Sequence, residues 1–383
     1  MPRRNPPTRA LVIAQAVAAT GALLLASPMP GGRPAAGFFS ADIGLVSNTL
    51  LAMGGNTNPT GLTPDMQLLL GGDQRTAEST HGLVNTRRNP DSPFYGWDFD
   101  VVEWPAQIWL PILGNWAYEP AQREGQRNFA ATLDAVLPTL AAGERVVALG
   151  YSSSANVMVR EMRALQNRAD RPADDQLSFI LVGNPNRPNG GILQRFSGAY
   201  IPLVDIPMDG STPTETPYRT TDISWEYDPA SDFPLYPLNL LAVLNSLAAG
   251  FYLHSDYIDA DVDGPRALPD TTVGAVTYIT LKPPRLPLLM PLEDAGVPGP
   301  LLDVIEPALT AVVDSAYDRS IDPGTPTTAR FVPPIRPTAV SGTATLRPTG
   351  KTRTVRATRA VRATRTDRDP GHPGQARSRH RAR

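Results

Sequence analysis

The stretch RVVALGYSSSANVMV, at residues 145–159, places three serines between a short apolar run and a helical pattern. Val146 to Leu149 form a continuous apolar run, which is typical of a strand that is covered on both faces. Between Ala155 and Leu165, apolar residues recur at spacings of three and four, which predicts an amphipathic helix running to about Arg168. The serines therefore occupy a strand-to-helix turn, the kind of junction found in α/β folds.

The turn itself reads Gly150-Tyr151-Ser152-Ser153-Ser154, or G-x-S-x-S. This pattern differs by one residue from G-x-S-x-G, the nucleophile elbow in which a sharp turn lifts the middle serine above the sheet edge. Ser152 is therefore a candidate nucleophile. The alternative is that Ser152 or Ser153 only caps the helix, by accepting a hydrogen bond from its first free N–H groups.

A serine nucleophile needs a general base, and the chain has 4 histidines. His372 and His380 lie in a basic tail, and His81 precedes the serine in a polar stretch. In folds with this elbow the chain order is serine, acid, histidine. His254 is the histidine of the body that follows Ser152, and we expect it to be the base.

Four acidic residues between the serine and the histidine compete for the third position. Asp228 follows a predicted strand with alternating apolar residues at 223–227, so it satisfies the chain order at a strand end. Asp222, Glu226 and Asp232 are its rivals, and Asp232 is the main alternative acid.

Further apolar runs predict the remaining elements of the body. Strands are expected at 49–53, 177–182 and 276–281, and helices at 129–140, 238–249 and 301–317. Short apolar strands that alternate with helices indicate a mostly parallel sheet with helices on both faces. The aromatic segment at 94–118 contains prolines and glycines, and we expect it to be an irregular loop or a pocket wall.

The two ends of the chain differ from the body. Residues 1–36 begin with arginines and no acid, followed by an apolar stretch, which predicts an export signal or, alternatively, an N-terminal anchor. Residues 323–383 are rich in Pro, Thr and Arg, and from Lys351 onward they hold 11 Lys and Arg against two acids. We expect this segment to be a disordered basic tail that contacts an anionic envelope surface, with no nucleic acid as a partner.

The body resembles the PE-PPE domain, an α/β-hydrolase relative of the cutinases that is known from bacteria with a mycolic-acid-type envelope. The resemblance covers residues 45–322 and is carried by LLAMGGNTNPT, ALGYSSSANVMVREMRAL, LVGNPNRPNGGIL, ISWEYDPASDFPLYPLNLLAVLN and LPLLMPLEDAGVPGPLLDVIEPALTAVVDSAYDR. The chain departs from the commonest members because it begins with the predicted export segment instead of a PE or PPE helical module.

The resemblance implies roles for five residues. The family's elbow is G-x-S-x-S or G-x-S-x-G, and its serine, acid and histidine correspond to Ser152, Asp228 and His254. Its oxyanion hole corresponds to the N–H groups of Ser153 and Asn56.

The resemblance also implies an enzyme that acts on fatty acyl esters or acyl glycolipids, without a cofactor or a metal. Hydrolysis by water and acyl transfer to a sugar of the trehalose type are the two competing reactions. A non-catalytic envelope-binding protein is the third interpretation.

Overall fold

A central sheet organises the part of the chain that the structure, a computed structural model, describes. The described residues are 48–59, 94–108, 116–255, 257, 260, 262 and 264–331. The predicted export segment at 1–36 lies outside them, as does the tail from residue 332 onward, so both stay predictions.

Seven strands form this sheet in the order β2-β1-β3-β4-β7-β9-β8. They are β1 (Thr49–Met53), β2 (Asp98–Val101), β3 (Val146–Tyr151), β4 (Leu177–Val182), β7 (Thr220–Trp225), β8 (Thr271–Val273) and β9 (Val276–Leu281). All neighbouring strands are parallel except β8 and β9, which are antiparallel. A separate two-stranded hairpin is formed by β5 (Tyr200–Ile201) and β6 (Ile206–Pro207).

Helices cover both faces of this sheet. They are α1 (Tyr118–Val136), α2 (Ser153–Leu165), α3 (Ile192–Arg195), α4 (Leu240–Ala249), α5 (Met290–Asp294) and α6 (Gly299–Asp314). Short 3₁₀ turns follow α1 and precede α5, at Leu137–Thr139 and Pro287–Leu289, and a π-helical turn, Gly250–His254, continues α4.

The alternation of side chains along the strands produces two hydrophobic cores. On β3, Val147 and Leu149 belong to the core under α4 and α6, whereas Val146 and Ala148 belong to the core under α1 and α2. Both faces of the strand are therefore buried, which is why its sequence is continuously apolar. The predicted fold class, a mostly parallel α/β sheet with helices on both faces, is confirmed.

The aromatic segment differs from its prediction. We expected no regular element at 94–118, but Asp98–Val101 form the edge strand β2, parallel to β1. Asp98 and Asp100 are exposed while Phe99 and Val101 are half-buried. An edge strand needs only one partner and one covered face, so four residues with this alternation suffice despite the flanking prolines and glycines.

The C-terminal boundary of the body also differs from its prediction. The tail was expected to begin at residue 323, but residues 323–331 pack on the body. Thr327 is buried, and its N–H donates to the carbonyl of Pro188 at 3.0 Å. The N–H of Ala329 donates to the carbonyl of Arg195 at 2.7 Å. Composition did not reveal this ordering because backbone hydrogen bonds do not depend on side-chain type.

Across the described ranges, the protein has no helix with the length and apolarity that a membrane crossing requires.

Candidate active site

Loops from four strands meet at one edge of the sheet. The parallel register pairs Met53 of β1 with Gly150 of β3, and Tyr151 of β3 with Val182 of β4. The carboxyl ends of these strands and of β7 therefore lie side by side. In open α/β sheets, this edge is where ligands bind.

Ser152 has a strained backbone on the turn between β3 and α2. Its φ is 57° and its ψ is −119°, a region that residues with a side chain rarely adopt. The Ser152 side chain makes no capping hydrogen bond to α2, so the helix-cap alternative is wrong for this residue. The strain instead keeps the hydroxyl above the turn, as the elbow motif predicts.

Small residues allow the turn to be this tight. A Cβ on Gly150 would lie 2.7 Å from Cγ of Met158 and 2.8 Å from Cα of Ala155, so only glycine fits where β3 meets α2. Ser154, which replaces the second glycine of the motif, is fully buried. Its Oγ accepts from the N–H of Tyr151 at 2.8 Å and lies 2.8 Å from the carbonyl oxygen of Met53.

A chain of hydrogen bonds joins Ser152, His254 and Asp228. Nε2 of His254 lies 2.8 Å from Oγ of Ser152. Nδ1 of the same ring lies 2.9 Å and 2.8 Å from the two carboxylate oxygens of Asp228. The Asp228 side chain is 0% exposed, whereas that of His254 is 19% exposed. Solvent therefore reaches the ring of His254 but not the carboxylate of Asp228.

His254 and Asp228 shift each other's pKa through their charges and their hydrogen bond. Burial alone would raise the pKa of Asp228, but the charge and hydrogen bond of His254 and the hydroxyl of Tyr257 outweigh it, and the pKa lies below its ordinary value. Burial alone would lower the pKa of His254, but the Asp228 carboxylate raises it above its ordinary value. The carboxylate thus stays ionised and favours protonation of the ring, which a base requires when it takes a proton from serine.

Two tyrosines that were not predicted as site residues form hydrogen bonds to Asp228 and His254. The hydroxyl of Tyr257 donates to Oδ2 of Asp228 at 2.6 Å and accepts from the N–H of Trp225 at 3.2 Å. The hydroxyl of Tyr151 donates to the carbonyl of His254, and the two rings stack with centroids 5.6 Å apart. Tyr151 occupies a variable position of the G-x-S-x-S motif and Tyr257 lies outside it, so the motif predicts neither contact.

Gly183, after β4, provides space for the histidine. Its φ of +59° is in the left-handed region, and an added Cβ would lie 3.0 Å from Cε1 of His254. Gly183 and His254 are far apart in the sequence, so no local pattern predicts this contact.

The three rival acids have other partners. Asp232 forms an ion pair with Arg319, with Oδ2 2.7 Å from Nη2. Asp222 is buried against Arg187 at 3.2 Å, and Glu226 lies 3.9 Å from Nε of Arg319. The carboxylate beside His254 in the structure is that of Asp228.

The two predicted oxyanion donors lie next to the serine. Oγ of Ser153 donates to Oδ1 of Asn56 at 2.8 Å, which ties the loop after β1 to the start of α2. Within the described ranges, the backbone N–H groups of Asn56 and Ser153 have no acceptor. A Cβ on Gly55 would lie 3.2 Å from Cβ of Ser152, so this loop approaches the serine closely.

The fold and this arrangement define the class as an α/β-hydrolase with a Ser-His-Asp constellation. Residues 96–318 match the PE-PPE domain, and the chain belongs to this family.

Two curated relatives come from Mycobacterium tuberculosis (strain ATCC 25618 / H37Rv). Esterase PE16 is 42% identical over 256 residues, which cover 63% of this chain and 46% of that protein. Diacyltrehalose acyltransferase Chp2 is 32% identical over 285 residues, which cover 65% of this chain and 77% of that protein. The chain therefore spans about half the length of the first relative and most of the second.

Among solved structures, a cutinase-like protein from Cryptococcus sp. resembles 49% of this chain and 79% of its own, with 16% identity and a TM-score of 0.32. The order and direction of the strands define the fold of this chain.

Proposed function

We propose that this protein is a serine-dependent enzyme that cleaves fatty acyl esters through a covalent acyl-enzyme. Oγ of Ser152 attacks the ester carbonyl carbon while Nε2 of His254 takes the hydroxyl proton. The N–H groups of Ser153 and Asn56 stabilise the oxyanion. The tetrahedral intermediate then collapses, the C–O bond to the alcohol breaks, and the alcohol leaves with the proton from His254.

In the second half of the reaction, water attacks the acyl-enzyme. His254 takes a proton from the water, and the new intermediate releases the fatty acid and returns the proton to Ser152. Asp228 keeps the histidine in the required tautomer, because its carboxylate accepts from Nδ1–H.

The observation that supports this proposal most strongly is the 2.8 Å distance between Nε2 of His254 and Oγ of Ser152, on a strained elbow. A serine with only a structural role would not need the positive φ that Ser152 adopts. Burial of the Asp228 carboxylate behind the His254 ring would be costly without a function or a partner. A non-catalytic envelope protein has no need of this arrangement.

Replacement of Ser152 or His254 by Ala tests the proposal. We expect each variant to lose on the order of 10⁴-fold or more in kcat/KM for a soluble p-nitrophenyl ester, because both groups act in the same step. Circular dichroism and thermal melting of each variant check that the fold is retained. Wild-type turnover by the folded Ser152→Ala protein would refute the assignment.

Acyl transfer is a second candidate, supported by the 77% coverage of a relative named diacyltrehalose acyltransferase. The acyl-enzyme is the same, and a sugar hydroxyl replaces water as the acceptor. Incubation with a labelled acyl glycolipid, with and without free trehalose, separates the two reactions. Labelled acyl trehalose as the main product would favour transfer, and free fatty acid alone would favour hydrolysis.

We also propose that the protein is exported and acts in or near the cell envelope. The basic, then apolar composition of residues 1–36 supports export, and the basic composition beyond Lys351 supports contact with an anionic surface. Fractionation of cells that produce the full chain tests this: recovery in the cytoplasm alone would contradict it.

A further inference from the structure

Helix α4 has its polarity reversed relative to an ordinary surface helix. Its buried residues are small or polar: Ala242, Asn245, Ser246 and Ala249. Two of its leucines are exposed, Leu240 at 70% and Leu244 at 53%, whereas Leu241 and Leu247 are half-buried. A helix of a soluble domain normally buries its apolar stripe and exposes its polar one.

The exposed leucines of α4 continue onto neighbouring elements. Leu238, just before α4, is 64% exposed, and Val312 of α6 is 48% exposed. The two helices meet here, because Nδ2 of Asn239 donates to the carbonyl oxygen of Val312 at 2.7 Å. We call the surface formed by Leu238, Leu240, Leu244 and Val312 the α4 face.

The polar side chains beneath α4 make this arrangement costly. Within the described ranges, Nδ2 of Asn245 and Oγ of Ser246 are buried without a hydrogen-bond partner. Burial of such groups is unfavourable, as is exposure of a contiguous apolar patch. An exposed apolar patch of this kind is typical of an interaction site.

Charge restricts what this surface binds. The sequence has no charged residue from Phe233 to Leu253. Glu293 of α5 and Asp303 and Glu306 of α6 share one basic partner, Arg285, which precedes α5. The surroundings are therefore acidic, so they repel an anionic surface, whereas the α4 face itself suits an apolar surface without net charge.

The α4 face also leads directly to the candidate active site. The π-helical turn Gly250–His254 continues α4 without a break and ends at the histidine that contacts Ser152. The α4 face and His254, whose side chain is 19% exposed, therefore belong to one continuous helical segment.

We propose that the α4 face docks onto the surface of an aggregated lipid without net charge, such as a bilayer or micelle of neutral or zwitterionic amphiphiles. The leucines insert among the acyl chains, and docking brings lipid esters to Ser152. The benefit for catalysis rests on the proposed function, whereas docking itself does not require a reaction.

Sedimentation with vesicles tests this proposal. The full chain carrying Ser152→Ala, which removes turnover, is mixed with phosphatidylcholine vesicles at high salt, where attraction by exposed charges is screened. The same protein is then compared with versions that also carry Leu240→Ser and Leu244→Ser. Leu203→Ser is the matched control, because Leu203 is 58% exposed in the β5–β6 hairpin, which packs beside the start of α1 on the opposite face of the sheet.

We expect the protein to bind these vesicles, the double serine variant to lose about tenfold or more in partition coefficient, and the control to bind unchanged. Adding anionic lipid at high salt should not strengthen binding. Thermal melting checks that the variants are folded.

Equal binding by the double variant, or no binding by the parent protein, would overturn the proposal. Analytical ultracentrifugation covers the case in which a second copy of the chain occupies the α4 face. A dimeric parent protein and a monomeric double variant, neither of which binds vesicles, would also overturn the proposal. Loss of ester hydrolysis in Ser152→Ala is a separate measurement, so failure of the proposed reaction would be recognised independently.

Discussion

At the scale of single residues, the acid of the site is selected by its surroundings. Asp228 and Asp232 are four positions apart and both buried, yet only Asp228 contacts His254. Asp232 is held by Arg319 and by the N–H of Tyr227 at 2.7 Å. The two carboxylates therefore differ in partner, not in burial.

Asparagine substitutions separate these two carboxylates. We expect Asp228→Asn to lower kcat/KM by about 10⁴-fold, because an amide no longer fixes the histidine tautomer. Asp232→Asn is the matched control and should change kcat/KM by less than about tenfold, because its partner Arg319 lies outside the reacting groups. Steady-state kinetics on a soluble ester measure both, and the reverse ranking would assign the role to Asp232.

We expect the hydroxyl of Tyr257 to influence the pKa values of Asp228 and His254. Its donated hydrogen bond stabilises the ionised Asp228, so its loss leaves a more basic carboxylate beside the ring. The raised pKa of His254 should then rise further, and because only the neutral ring accepts a proton, the acid limb of kcat/KM should move to higher pH in Tyr257→Phe. A pH–rate profile measures the shift. A lower rate with an unmoved acid limb would indicate a purely structural role.

At the scale of the elements, the junction of β3 and α2 depends on one glycine. Gly150 lies where the strand passes within contact of the helix, and no heavier residue fits without moving Met158 or Ala155. The geometry of Ser152, two residues later, depends on this contact.

We expect Gly150→Ala to lower the free energy of unfolding by about 1–3 kcal/mol, because the added methyl overpacks a buried junction. Gly299→Ala, at the start of α6, is the control, since the nearest atom to its Cβ would be Nη2 of Arg285 at 3.9 Å. The control should change stability by less than about 1 kcal/mol. Denaturant unfolding measures both variants. If Gly150→Ala were as stable as the wild-type protein, the side chains around the junction would have moved to accommodate the methyl group.

At the scale of the whole molecule, charge is distributed unevenly along the sequence. The chain has a formal net charge of −2, but 11 of its basic residues lie in the last 33 positions. The rest of the chain is therefore distinctly acidic, and the two parts should respond differently to an anionic surface.

A chain ending at Gly350 tests the role of the basic segment. We expect it to match the full chain on a soluble short-chain ester but to bind anionic vesicles less well at low salt. The difference should shrink as salt is raised, because screening reduces the Debye length to about 10 Å at 0.1 M. Loss of activity on the soluble ester, or undiminished binding at low salt, would contradict this role.

Features that depend on local patterns could be predicted from the sequence alone. Short, mostly apolar runs predicted β1, β3, β4 and β9, since a strand buried on both faces has few polar residues. The elbow and chain order led to Ser152 and His254 and placed Asp228 among four candidate acids. The structure brings Ser152, His254 and Asp228 together.

Tertiary structure decided the features that depend on residues far apart in the chain. The choice of Asp228 over Asp232 depends on Arg319, 87 positions beyond Asp232, and the contact of Tyr257 with Asp228 joins residues 29 positions apart. The edge strand β2 and the ordering of residues 323–331 depend on backbone partners supplied by other segments. Periodicity and composition describe only neighbours along the chain, whereas these contacts exist only once the sheet order has placed separate loops at one edge.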